Sequence, residues 1–177
     1  MIVLMAGLPG TGKTTLALEL ARRTSGRVLS KDHIRHAIFE PKEIEYSTGQ
    51  DDLCQELMLL TAGYILARDP AKLVSLDGRP FSHRYQIENV ITKAVALHQP
   101  WRILECVCSD EVVKGRLQAD ARNGGHPAGN RSFQLYLDVK ARFEAILHPK
   151  TVIDMERPLS DCVEQALAAV QESSRDS

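Results

Sequence analysis

Residues 7–14 read Gly7-Leu8-Pro9-Gly10-Thr11-Gly12-Lys13-Thr14, a complete G-x-x-x-x-G-K-[ST] phosphate-binding loop. The apolar run 2–6 comes directly before it and a helical pattern begins after it, which is the strand–turn–helix context that this motif requires. Glycine allows the backbone N–H groups to turn inward around a phosphate chain, and the positive end of the helix dipole adds attraction. Lys13 can reach the β- and γ-phosphates, and the Thr14 hydroxyl can ligate Mg²⁺. The sequence therefore predicts a site for a nucleoside triphosphate.

The composition is that of a single globular domain. The chain has 177 residues, of which 44% are hydrophobic and 25% charged, and its net charge is −1. This charge gives no overall attraction to nucleic acid, and no apolar stretch reaches transmembrane length. We expect a cytoplasmic protein that does not associate with membranes. Cys106 and Cys108 are two residues apart, but the sequence offers neither a second close pair nor histidines at zinc-ligand spacing, so we interpret the cysteines as reduced core thiols; they are Cys54, Cys106, Cys108 and Cys162.

Apolar runs of strand length alternate with helical patterns along the chain. This alternation is typical of a parallel sheet covered by helices on both faces. We predict an α/β fold, a three-layer α/β/α sandwich with a five-stranded parallel sheet and a small helical lid. Residues 1–172 are predicted to form one domain with a flap at about 110–135, and residues 173–177 a frayed tail.

Some local details follow from the same patterns. We expect an exposed loop at 46–49, followed by a helix with apolar residues at helical spacing from Leu53 to Tyr64. A second helix is expected to run from Leu135 through Ile146, and Ser160 is expected to cap the last one.

Asp32 and Arg35 follow the second strand directly and share one helical turn, so they project from the same face. The carboxyl ends of strands border the ligand crevice in open α/β sheets. A carboxylate there could accept a proton from an attacking hydroxyl, and the arginine could hold the acceptor molecule. The alternative is a helix-capping aspartate beside a solvated arginine. With a phosphate-binding loop in the same chain, we favour the functional interpretation.

Asp77 ends the third strand and is followed by Gly78 and Arg79. A strand-end aspartate opposite the Thr14 hydroxyl is suited to hold Mg²⁺ directly or through a water molecule. The alternative for Asp77 is an ordinary turn aspartate before a glycine. Arg79 either faces the substrate or lies exposed, and the sequence leaves both open.

A turn-rich segment, residues 123–130, is bracketed by Arg116, Arg122 and Arg131. Arginines that arrive as a lid closes would stabilise the charge that spreads over a transferring phosphoryl group. The alternative is a solvated basic face. We assign catalysis to Arg116 and Arg131, at the two stems of the flap, and nucleotide contact to Arg122.

Together the loop, Asp32 with Arg35, the Leu76-Asp77-Gly78-Arg79 run and the flap resemble the small P-loop kinases. The likeness is to the branch with polynucleotide 5′-hydroxyl kinases, zeta-toxin-like kinases and many unassigned small-molecule kinases. It implies a P-loop NTPase fold, with Asp32 as general base and Arg35 in contact with the acceptor. Asp120 departs from the family pattern, which often has arginine one turn after the position of Arg116.

We therefore expect an ATP-dependent kinase that uses Mg²⁺ and phosphorylates a hydroxyl group of a small molecule. A polynucleotide 5′-hydroxyl kinase and a regulatory NTPase without an acceptor are the alternatives. The predicted catalytic residues are Lys13, Asp32, Arg116 and Arg131; the acceptor contacts are Asp32, Arg35 and Arg79; the metal ligands are Thr14 and Asp77. The predicted nucleotide contacts are Gly7, Leu8, Pro9, Gly10, Thr11, Gly12, Lys13, Thr14, Thr15 and Arg122.

Overall fold

A computed structural model describes residues 1–123 and 132–172, with the backbone alone for residues 122 and 123. Within these ranges the strands are β1 (Ile2–Ala6), β2 (Arg27–Ser30), β3 (Val74–Asp77), β4 (Trp101–Val107) and β5 (Thr151–Asp154). The α-helices are α1 (Lys13–Thr24), α2 (Lys31–Ile38), α3 (Thr48–Arg68), α4 (Arg84–Ala96), α5 (Asp110–Asn123), α6 (Phe133–Ala141) and α7 (Leu159–Gln171). A 3₁₀ turn, Pro41–Glu43, joins α2 to α3.

The strands form one parallel sheet in the order β2-β3-β1-β4-β5. Strand β1 lies in the middle, so the loop that follows it leaves from the centre of the carboxyl edge. Ser30 of β2 pairs in register with Asp77 of β3, which brings the ends of these two strands side by side. The predicted fold class is confirmed, with its three layers and five parallel strands.

The core has two halves, one on each face of the sheet. Successive side chains of a strand point to opposite faces, so Ile2 and Leu4 pack with α3 and α4, while Val3 and Met5 pack with α1 and α7. All four have no exposed surface. Burying one such side chain contributes about 1.5–3 kcal/mol to the free energy of unfolding. Because β1 is buried on both faces, its sequence is a continuous apolar run.

Three local predictions are corrected by the structure. Helix α3 begins at Thr48, because the Ser47 hydroxyl accepts a hydrogen bond from the Gln50 amide at 3.3 Å, so the expected loop is shorter. Helix α6 ends at Ala141, and Ile146 packs into the core from the segment beyond it. Ser160 lies inside α7, whose N-cap is Pro158.

The buried face of α3 also differs from the apolar stripe in the sequence. Leu53, Leu60 and Tyr64 are exposed, whereas Met58 and Leu66 point inward. Helical spacing of apolar residues identifies the helix but does not fix which face a neighbouring layer covers. None of the described helices offers an apolar stretch of the length that crossing a bilayer requires.

We predict that Gly7→Ala destabilises the fold by about 2–4 kcal/mol, measured by urea unfolding. Gly7 has φ +126°, and a β-carbon there would lie 2.3 Å from the backbone carbonyl oxygen of Cys106 in the neighbouring strand. The substitution therefore introduces both backbone strain and a clash.

Gly115→Ala is the matched control, since Gly115 lies within α5 with no heavy atom within 4 Å of an added β-carbon. It should stabilise the protein by about 0.5–1 kcal/mol. Equal effects of the two substitutions would contradict the close approach of Gly7 to β4.

Candidate active site

The phosphate-binding loop connects β1 to α1 and is closed by two hydrogen bonds to one of its own carbonyl oxygens. The Lys13 ammonium and the Thr11 hydroxyl each donate a hydrogen bond of 2.8 Å to the carbonyl oxygen of Leu8. Lys13 is buried, and its side chain crosses the loop that it belongs to. The backbone N–H of Gly7 donates to the Pro80 carbonyl at 3.1 Å, which ties the loop to the segment after β3.

Thr14 and Asp77 meet where α1 approaches the end of β3. The Thr14 hydroxyl donates to Asp77 Oδ2 at 2.8 Å. Asp77 is buried, and among the described residues its second oxygen, Oδ1, has no hydrogen-bond partner. A buried carboxylate oxygen without a partner, next to a hydroxyl, matches the oxygen ligands that Mg²⁺ prefers. These two residues therefore fit the predicted metal site.

Two cavities meet at Lys13 and Thr14, which line both of them. One cavity extends past Asp32 and Arg79 toward α6. The other extends over Gly12 toward α5 and the segment between β5 and α7. The loop thus has one cavity on each side, as a reaction between two bound molecules requires.

Asp32 is buried on the wall of the first cavity, and Ser30 caps its helix, because the Ser30 hydroxyl accepts from the His33 amide. Arg35 Nη1 donates to Asp32 Oδ1 at 3.0 Å. Arg35 itself has no exposed surface, does not line this cavity, and also donates to the carboxylate of Asp51. The structure therefore brings Asp32 to the cavity and places Arg35 behind it, so the acceptor contact expected of Arg35 would require its neighbours to move.

Arg79 lines the same cavity and is buried, which excludes the exposed alternative. Its guanidinium donates to Gln55 Oε1 at 2.9 Å and to Asp52 Oδ1 at 2.6 Å, and lies 3.3 Å from the Tyr85 hydroxyl. The interaction with Asp52 is an ion pair to the first turns of α3.

The acidic residues at the start of α3 belong to this site, although no motif in the sequence marks them. Asp51, Asp52 and Gln55 fall within two turns of α3, and all three contact cationic side chains at this cavity. The available signal was Gln55, a polar residue that shares a helix face with the apolar Met58 and Leu59. Polar residues on the inward face of a helix are buried only with partners, so they point to such a cluster.

Arg116 lies on the second cavity, between the phosphate-binding loop and the segment after β5. It donates to the Met155 carbonyl at 2.7 Å and to the Thr11 carbonyl at 3.4 Å. Thr15 also lines this cavity. For Arg122 the structure describes the backbone of α5 alone, and Arg131 lies outside the described residues. The roles assigned to Arg116, Arg122 and Arg131 therefore stay predictions.

Helices α5 and α6, which lie on either side of the predicted flap in the sequence, are joined by hydrogen bonds to Asp110. Asp110, at the start of α5, accepts from the Lys140 ammonium at 2.6 Å and from the Tyr136 hydroxyl at 2.5 Å, both on α6. The bond from Lys140 and then that from Tyr136 lower the pKa of Asp110. Burial, followed by the Asp110 hydrogen bond, raises the pKa of Tyr136. The charges of Asp110 and Lys140 thus stabilise each other between the two helices.

A family model described as an AAA domain matches residues 2–146, more than half of the chain. None of the curated proteins matches the sequence significantly. Both comparisons concern sequence, and the first of them covers the phosphate-binding loop, Asp32, Asp77 and the α5 stem.

Several solved structures share the fold along nearly the whole chain. A gluconokinase from Sinorhizobium meliloti 1021 is 17% identical with a TM-score of 0.68, covering 97% of this chain and 91% of that one. The APS kinase CysC from Mycobacterium tuberculosis, in complex with AMPPNP and APS, is 17% identical with a TM-score of 0.70, covering 96% of each. Kti12 from Chaetomium thermophilum, in complex with ADP-AlF3, is 13% identical with a TM-score of 0.71, covering 96% and 99%. Identities this low show the fold, and at that level the resemblance to the small P-loop kinases is confirmed.

We predict that Asp77→Asn lowers magnesium-dependent nucleotide affinity at least about tenfold, because it removes the charge from the carboxylate that accepts from the Thr14 hydroxyl. Affinity measured in EDTA should change little. Isothermal titration calorimetry with a non-hydrolysable ATP analogue, with Mg²⁺ and in EDTA, measures both affinities. An unchanged response to magnesium would remove Asp77 from the metal site.

Proposed function

The chain belongs to the AAA domain family, and from this premise we propose that it is a kinase that transfers the γ-phosphoryl group of ATP to a hydroxyl group of a small molecule. One observation carries the proposal. Lys13 and Thr14 of the phosphate-binding loop and the buried carboxylate of Asp32 line a single cavity. A hydrolase needs room for a water molecule, whereas this cavity continues past Asp32 to α6, where an acceptor can lie.

Each residue has a defined role in this proposal. The loop amides and Lys13 hold the β- and γ-phosphates, and the second cavity takes the nucleoside. The acceptor oxygen attacks the γ-phosphorus, the bond from that phosphorus to the bridging oxygen of ADP breaks, and Asp32 takes the hydroxyl proton. Arg35 holds Asp32 Oδ1, which orients the carboxylate so that Oδ2 can accept that proton.

Charge on the transferring group is the remaining requirement. Mg²⁺ bound by Thr14 and Asp77 would neutralise charge on the β- and γ-phosphate oxygens. Arg116 already lies beside the loop, and we propose that Arg122 and Arg131 complete the arginine set from the flap. Arg116 also fixes the segment after β5, so it contributes to the shape of the nucleoside cavity.

The two alternatives make different predictions for an acceptor assay. A polynucleotide 5′-hydroxyl kinase would label oligonucleotides, and a regulatory NTPase would hydrolyse ATP at a rate that no acceptor changes. Transfer of the labelled γ-phosphate to a panel of sugars, nucleosides, antibiotics and 5′-hydroxyl oligonucleotides separates all three. A cytoplasmic location stays a prediction.

We expect Asp32→Asn to retain ATP affinity and to lose at least about 100-fold in transfer rate, because the amide cannot accept the proton. The exposed carboxylate of Asp138 on α6 provides a matched control, since among the described residues its one hydrogen bond is from Gln134 at 2.9 Å, and Asp138→Asn should leave the rate unchanged. Transfer by Asp32→Asn at the normal rate would remove Asp32 as the base.

A further inference from the structure

The cavity beside Asp32 carries several basic side chains, and most of them are already paired. They are Lys13, Lys31, Arg79, His83 and Arg142. Lys13 belongs to the phosphate-binding loop. The pairing of the others decides what kind of acceptor this cavity can bind.

Lys31 and Arg35 converge on a single carboxylate, that of Asp51. The Lys31 ammonium lies 2.8 Å from Asp51 Oδ1, and Arg35 Nη2 donates to the same oxygen. Lys31 also lies 3.9 Å from Asp32 Oδ1. Two buried cations that meet at one point form the arrangement that proteins use to bind an anion. Here the anion is supplied by the protein itself.

Arg79 pairs with the next residue of α3. Its Nη2 lies 2.6 Å from Asp52 Oδ1, and its Nη1 donates to Gln55 and to the backbone carbonyl of Asp51. Its buried Nε has no hydrogen-bond partner among the described residues. The consecutive residues Asp51 and Asp52 thus neutralise the buried cations of this cavity from the helix that forms its wall.

The other two basic side chains, His83 and Arg142, lie outside this buried cluster. His83 lies 3.2 Å from Glu144 Oε1. Arg142 is exposed at the end of α6, where solvent screens its charge and an ion pair contributes little.

We propose that Asp51 occupies the position where an anionic acceptor would bind, that Asp52 neutralises Arg79 beside it, and that the acceptor is therefore an uncharged molecule that carries hydroxyl groups. This rests on the proposed kinase function. An anion that binds the buried cations must displace the internal carboxylate with which each is paired, whereas an uncharged hydroxyl compound can hydrogen-bond to groups that stay in place. Asp51 and Asp52 are then specificity-determining residues that act by exclusion.

The test is sulfate binding to the protein saturated with Mg²⁺ and a non-hydrolysable ATP analogue, so that the phosphate-binding loop is filled. Sulfate replaces chloride at constant ionic strength, and binding is measured by calorimetry. Asp51→Asn should bind sulfate at least about tenfold more tightly than the unaltered protein, since it frees Lys31 and Arg35. Asp51→Glu keeps the charge and should resemble the unaltered protein.

Asp69→Asn is the control for loss of a carboxylate from the same helix, since Asp69 is exposed at the far end of α3. It should not gain sulfate affinity. If Asp51→Asn does not fold, Asp52→Asn decides, because Asp52 is nearly half exposed and its removal frees Arg79. Sulfate binding to the unaltered protein as tight as to these variants, or no difference from Asp69→Asn, would overturn the proposal.

A second measurement separates this inference from the kinase function. Sugars are compared with their monophosphates as acceptors, and the uncharged member should have a kcat/KM at least about tenfold higher. Preference for the phosphorylated member would overturn the inference and leave the kinase function in place. If no acceptor of either kind is phosphorylated, the kinase function fails, while the sulfate comparison still decides how the cations are occupied.

Discussion

The buried guanidinium of Arg35 is the constraint on which the acceptor side of the structure depends. A charge with no exposed surface needs carboxylate partners, and Arg35 finds them in Asp32 on its own helix and Asp51 on the next. This arrangement fixes the approach of α3 to α2. It also holds Asp32 at the edge of the cavity. The need to neutralise the buried Arg35 therefore positions the residue that we propose as the general base. Removing either carboxylate leaves the buried Arg35 with a single carboxylate partner.

Much of the fold could be predicted because its signals are local. The apolar strand before the phosphate-binding loop, the glycines of that loop and the alternation of strands with helices each depend on a few adjacent residues. Boundaries were harder to predict, since they depend on tertiary contacts. Ile146 keeps the helical spacing of α6 but reaches the core from beyond its end. The apolar stripe from Leu53 to Tyr64 did not predict the buried face of α3, because the core covers the other face of this helix.

The candidate site divides along the same line. Thr14 and Asp77 were predictable as partners, because the strand order of such sheets brings their positions together, and the hydrogen bond between them agrees with that expectation. The roles of Asp51 and Asp52 were not. No local sequence pattern predicts that Asp51 pairs with Arg35 or that Asp52 pairs with Arg79. These partners are 16 and 27 residues apart in the sequence. Pairing across such distances is decided by packing. The sequence therefore predicts the residues that bind the nucleotide phosphates more readily than the residues that select the acceptor.

The hydrogen bond from Lys13 to the Leu8 carbonyl has a consequence for how a ligand enters. Before a ligand binds, the carbonyl oxygen of Leu8 already holds the Lys13 side chain across the loop. Binding then exchanges one oxygen acceptor for another instead of ordering a free side chain. The entropy of fixing that long chain is lost when the protein folds, so it does not have to be lost again at each turnover.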